Sequence, residues 1–188
     1  NEAGSGLQYT YHNAKNAETF GVELDVKKNL DFIGLRGLSF VCNAAYIYSR
    51  VRFEEGAPER DRPLAGQSPY LVNAGFFYQY DDKGISASLL YNRIGKRIES
   101  VGVPMQNQDE DIPDIYEMPR NSLDLTFSKK IGKIVEIKAG IQDILNSKVE
   151  YKQFVKLTDD KGGKSEREQL IRSYRPGVDI NIGVSLRF

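Results

Sequence analysis

The chain has 188 residues, and its 26 lysines and arginines balance 26 aspartates and glutamates. That neutrality leaves no global field to steer nucleic acid, so no nucleic-acid partner is expected. No segment approaches the roughly 18 consecutive apolar residues of a transmembrane helix, which leaves open a membrane β-barrel, where apolar surface is hidden in alternation. Asn1 to Gly6 lack a basic n-region and an apolar h-region, so an exported protein would reach this form by processing or truncation.

The predicted elements are all strands. After a short run at Leu7–Tyr11, Phe20, Val22, Leu24 and Val26 alternate with Gly21, Glu23, Asp25 and Lys27. Leu38, Phe40, Cys42, Ala44, Tyr46 and Tyr48 form the apolar face of the next run, and Tyr70, Val72, Ala74, Phe76, Tyr78 and Tyr80 that of the one after. Ile85, Ala87, Leu89 and Tyr91 follow, then Leu123, Leu125 and Phe127, then Val135, Ile137, Ala139 and Ile141. The chain closes on Val178, Ile180, Ile182, Val184, Leu186 and Phe188, which alternate with Asp179, Asn181, Gly183, Ser185 and Arg187. Successive side chains of a strand point to opposite faces, so each run reads as a half-apolar strand. About eight strands and no helix are expected.

The connections alternate between short and long. Short turns are read at Asn29–Arg36, Asp81–Gly84 and Ile131–Lys133; long polar loops at Glu54–Gln67, Val101–Pro119 and about Lys148–Arg175. Counted back from Phe188, the short turns share one edge and the long loops the other, with the brief His12–Glu18 connection on the long-loop edge. An antiparallel up-and-down meander of this layout is that of an outer-membrane barrel.

Four segments carry a family resemblance: Phe20–Leu24, Arg62–Asn73, Gly140–Asn146, and Tyr174–Gly177 with the strand that follows. In this order they resemble the C-terminal barrel portion of a TonB-dependent outer-membrane receptor of the type found in Bacteroidetes-like bacteria. The resemblance implies a larger transmembrane barrel of roughly 22 strands, of which residues 1–188 would be the last third, without the plug domain. It also implies transport of a siderophore, vitamin or glycan captured by outer loops, and contact with outer-membrane lipid. TonB would be reached only through the missing plug. Ile182, Val184, Leu186 and Phe188 would be the signal read by the barrel-assembly machinery through strand addition.

Glu23, Asp25, Lys27, Glu136, Lys138, Asp179 and Arg187 would face the lumen, as plug contacts or as paired structural charges. The acidic group Asp109, Glu110, Asp111 and Asp114 lacks the spacing of a calcium loop and reads as a solvated loop, as does Glu59–Arg62. Lys161–Lys164 lacks the phosphate-loop spacing and reads as a loop tip. His12 is the sole histidine, so Cys42 and the serines have no imidazole base. No enzyme, cofactor or metal site is expected. Two other architectures remain: a free-standing eight-stranded outer-membrane barrel acting as an adhesin or structural protein, and a soluble β-sandwich binding module.

Overall fold

Alternating segments rich in valine, isoleucine, tyrosine and phenylalanine fit a pleated, half-covered surface, and each of those described becomes a strand. The structure, a computed structural model, describes residues 13–104, 111–158 and 163–186. Its strands are β1 (Asn16–Asn29), β2 (Leu38–Arg52), β3 (Tyr70–Tyr80), β4 (Ile85–Ile94), β5 (Arg97–Ser100), β6 (Ile115–Glu117), β7 (Arg120–Ile131), β8 (Val135–Gln142), β9 (Val149–Thr158), β10 (Lys164–Tyr174) and β11 (Asp179–Leu186). The Leu7–Tyr11 run, His12, Asp109, Glu110, Lys161, Gly162, Arg187 and Phe188 lie outside the described residues.

Seven strands form one antiparallel sheet in the order β1-β2-β3-β4-β7-β8-β11, and four form a second in the order β10-β9-β6-β5. Among the described residues the large sheet is open, since β1 pairs with β2 alone and β11 with β8 alone. The second sheet continues the last four strands of the first. Ile94 faces Arg120 across β4 and β7, and three residues further on Arg97 faces Glu117 across β5 and β6 in the same register. The β8–β9 junction departs from this regularity. From Leu125 to Glu117 is eight residues, but their partners Ile141 and Tyr151 are ten apart, so the Asp143–Lys148 turn adds two.

The expected loops at Val101–Pro119 and Lys148–Arg175 therefore contain strand: β6 in the first, and the β9–β10 hairpin in the second. Polar residues stand at both parities in the hairpin, which removes the alternation signal. Its backbone pairs because the ladders below deliver it in register. Glu54–Gln67 stays irregular apart from one bridge between Val51 and Arg62.

The short connections Leu30–Gly37, Asp81–Gly84 and Gly132–Ile134 lie at one edge of the large sheet, and the long ones at the other. Gly37 shows how tight the short edge is. Its φ is +77°, and a Cβ there would stand 2.2 Å from the Gln79 carbonyl oxygen.

Register gathers the apolar alternates of all seven strands on one face. One row runs Leu24, Ala44, Val72; another runs Phe40, Phe76, Leu89, Leu125, Ile141, Ile180. This face is uncovered: Val22 is 73% exposed and Ile182 77%. Buried apolar residues among those described are only Ala45, Val51, Ile98 and Val149. Two aromatic pairs stand on this face over the first three strands. Phe20 stacks on Tyr48 at 4.8 Å toward the long-loop edge, and Phe40 meets Phe76 at 5.2 Å toward the short-turn edge. Tyr70 and Tyr80 stand at the two ends of β3. Ten residues of strand span about 33 Å, or about 25 Å in height at the tilt usual for membrane barrels.

The opposite face is mixed: Val41, Phe77 and Leu90 lie on it, beside cross-strand hydrogen bonds between Ser86 and Ser128 and between Ser88 and Thr126, each 2.7 Å. Asn92 and Asn73 also bond across it, at 2.5 Å.

Candidate functional site

The residues most closely associated with one another lie where the two sheets join and along the second sheet. The Arg62–Tyr70 segment is pinned there by its own polar groups. The Ser68 hydroxyl donates to the Tyr70 carbonyl oxygen at 2.7 Å and accepts from the Gly95 N–H at 2.9 Å. The Gly66 N–H donates to the Ile98 carbonyl oxygen at 2.8 Å. These bonds seat the β2–β3 connection against the β4–β5 junction, and Ile98 beneath it is 1% exposed.

A second knot joins two of the segments that carry the resemblance. Asp143 takes φ +51° and Asn146 +43°, both in the left-handed region. The Asp143 N–H donates to Asp124 Oδ1 at 2.8 Å, and its carboxylate pairs with Arg120 at 2.7 Å. Asn146 accepts from the Arg175 guanidinium through its carbonyl oxygen and from the Gly177 N–H through Oδ1 at 3.1 Å. The Gly140–Asn146 and Tyr174–Gly177 segments thus hold each other where β8 and β11 pass into β9 and β10. The Arg120 Nε and Asp143 Oδ1 are buried without a hydrogen bond, so the knot is not fully satisfied.

Above these knots lies an open cavity of about 780 Å³. The Glu59–Pro63 turn, residues 101–104 and 111–114, Lys96, Tyr116 and the β9–β10 hairpin line it. By register Lys96 and Tyr116 continue the face of the large sheet opposite the apolar band. The Lys96 ammonium stands 4.1 Å from the centre of the Tyr116 ring and 3.7 Å from that of Phe154, and the two rings meet edge to face at 5.7 Å. Partial burial lowers the Lys96 pKa, opposed by the fields of Glu166 and Glu168. Burial, and then the neighbouring Asp114 carboxylate, raises that of Tyr116.

The acidic and basic runs of the loops are engaged with the protein. Asp114 accepts from the Gly102 N–H at 2.7 Å and from the Tyr116 hydroxyl at 3.4 Å. A Cβ on Gly102 would lie 2.0 Å from the Ile112 carbonyl oxygen, so only glycine permits this closure. Asp111 pairs with Arg60, and Asp61 with Arg50 at 3.2 Å. Glu59–Arg62 is thus an ordered wall of the cavity, where the sequence read loop solvation. Among the described residues no group of three or more histidine, cysteine or acidic side chains is placed to hold a metal.

The residues singled out from sequence lie elsewhere. Ile182, Val184 and Leu186 stand on the uncovered apolar face of β11, which is an edge strand. Glu23, Asp25, Lys27, Glu136, Lys138 and Asp179 fall on the opposite face but do not converge. Glu136 and Lys138 pair at 3.5 Å on β8, while Glu23, Asp25 and Lys27 are exposed on β1 at the far side of the sheet. The cluster of Lys96, Tyr116 and Phe154 had no sequence signal, because its members come from three separated segments. Asp143 and Asn146 were marked only as part of a quoted motif.

With the sheet and its basin in view, one comparison bears on the chain. It is similar to a transferrin-binding protein. The relative is transferrin-binding protein A of Haemophilus influenzae, 26% identical over 160 residues, an alignment covering 78% of this chain and 17% of that protein. The chain thus spans under a fifth of the length of the relative it matches. No family model and no solved structure matches the chain.

Proposed function

We propose that the chain is a length of wall from an outer-membrane, TonB-dependent receptor barrel, together with the outer ligand-binding connections of that wall. The observation that carries this reading is the uncovered apolar face of the seven-stranded sheet. It is continuous in register, and all the long connections lie beyond one of its edges. In water such a face would be an aggregation surface; in a bilayer it is the lipid contact. A β-sandwich would cover it with a second sheet, whereas the second sheet here prolongs the strands. The similarity to transferrin-binding protein A is consistent with a receptor that takes its ligand at the outer connections.

In this reading the basin around Lys96, Tyr116 and Phe154 receives the ligand at the mouth of the lumen. The chemistry asked of the chain is binding rather than bond-making. Mixed charges and aromatic faces suit a siderophore, vitamin or glycan, and the named relative adds a protein, transferrin, to the ligands to be tried. Energy from TonB would enter through a plug domain outside this chain, and the barrel-assembly machinery would take up the β11 edge.

Native Cys42 provides the test, because it lies on the apolar face beside Phe40 and Ala44. In cells expressing the full-length protein, Cys42 is expected to react with a lipid-soluble maleimide and to resist a membrane-impermeant one. Fast labelling by the impermeant reagent in the folded protein would overturn the membrane reading. Binding of labelled transferrin and of ferric siderophores to the same cells, with Tyr116→Ala as comparison, tests the basin.

A further inference from the structure

We propose that the outward face of the second sheet binds the phosphate groups of a phosphorylated lipid in the leaflet beside the long-connection edge. This rests on the membrane reading above. Arg97, Glu117, Tyr151 and Arg172 stand directly opposite one another across β5, β6, β9 and β10, so they share one face. Register carries that face down, without a break at the β4–β5 and β6–β7 junctions, into the apolar band of β4 and β7. The row therefore begins where the lipid-facing surface ends.

Charge is segregated between the two faces of this sheet. In paired positions the outward face holds Arg97, which donates twice to the single carboxylate Glu117 at 2.9 and 2.7 Å, and Arg167 and Arg172, which face no carboxylate across the ladder. The inward face carries Glu150, Glu166 and Glu168 with Lys152 and Lys156. Below the row, Arg93 on β4 bonds the Tyr70 hydroxyl at 3.3 Å and Asn121 Oδ1 at 2.7 Å, neither of them charged.

Arg172 is the best-prepared member. Its guanidinium carbon lies 4.1 Å from the Tyr151 ring centre and 5.8 Å from that of Tyr174, and the residue is exposed. A guanidinium stacked on a ring keeps donors along its edge, the geometry that meets a phosphate. Tyrosines at this height belong to the headgroup region, where an amphipathic ring is most stable. The surface thus presents an aromatic anchor and fixed cations at the depth of lipid phosphates. Its continuity with the apolar band selects a lipid over a soluble anion.

The experiment places the full-length protein in phosphatidylcholine nanodiscs containing a minority of phosphatidic acid, transfers it to detergent and measures the phosphatidic acid retained. The native protein should retain it selectively. Arg172→Gln and the double variant Arg167→Gln/Arg172→Gln should lose about fivefold in retention for each arginine removed, with folding checked by heat-modifiable gel mobility. Added salt should weaken retention in the native protein. Insertion with equal retention by native and double variant overturns the lipid site alone. Failure to enter the discs overturns the membrane reading and the lipid site with it.

Discussion

The two sheets share ladders yet present opposite chemistry on the same outward face. Over the last four strands of the large sheet that face is Leu89, Leu125, Ile141 and Ile180; above it, where those strands are continued, it becomes Arg97, Glu117, Tyr151 and Arg172. Backbone pairing does not distinguish the two zones, because the hydrogen bonds of a ladder are the same in either. The side chains do, since an apolar face is stable against lipid and a charged one against water and headgroups. The change occurs within a few residues of the Gly95 and Met118–Pro119 breaks. In the proposed membrane reading these positions mark a boundary between solvents more than a boundary between folds.

The comparison can be broken most directly by moving charge across that boundary. Ile182→Arg on the apolar band should cost roughly 2–4 kcal/mol in urea titrations of the protein refolded into bilayers. Gln169→Arg, exposed on the outward face of the second sheet, should stay within about 0.5 kcal/mol. Equal costs at the two sites would remove the distinction between the zones.

Arg120→Ala should rank next. It strands the Asp143 carboxylate, whose side chain is 12% exposed, while the arginine side chain is 29% exposed, so water softens the loss. About 2 kcal/mol is expected, seen as faster hydrogen exchange at the Asp143 and Ile144 amides. Unchanged exchange would show that the Asn146–Arg175 contacts hold the junction without the ion pair.

A smaller effect is expected from pH at Lys96. Its folded pKa lies below the ordinary 10.5, so burial there penalises the charged lysine. The penalty is fully present below the depressed folded value and is relieved as pH rises from it toward 10.5, so this group makes the second sheet more stable with rising pH in that window. Lys96→Met keeps the contact with both rings and should abolish that rise; a rise persisting in Lys96→Met must come from another group. The smallest change should come from Ser88→Ala, which removes an exposed hydrogen bond to Thr126. It should alter stability by less than about 0.5 kcal/mol in the same urea titration.

The strands of the large sheet were legible because a one-sided environment writes itself as period-2 alternation, and Phe20–Val26 and Val178–Leu186 show it without interruption. The β9–β10 hairpin was not legible. Polar residues stand on both of its faces, so the segment has much of the composition of a loop although β9 and β10 pair with each other. The basin was hidden for a different reason. Lys96, Tyr116 and Phe154 are 20 to 58 positions apart in the sequence, and nothing local announces that a lysine will sit between two rings.

By itself the sequence determined that the chain is all-β, which residues share a strand face, and which connections are short. Each of these is a local property, set by side-chain alternation and by turn residues such as Gly37 and Gly84. Tertiary structure alone decided that the apolar faces align into one uncovered band and that the last four strands run on beyond it. It also decided that Asp143, Asn146, Arg120 and Arg175 lock that passage. Register and long-range pairing bring such residues together, and no single segment contains the partners that satisfy them.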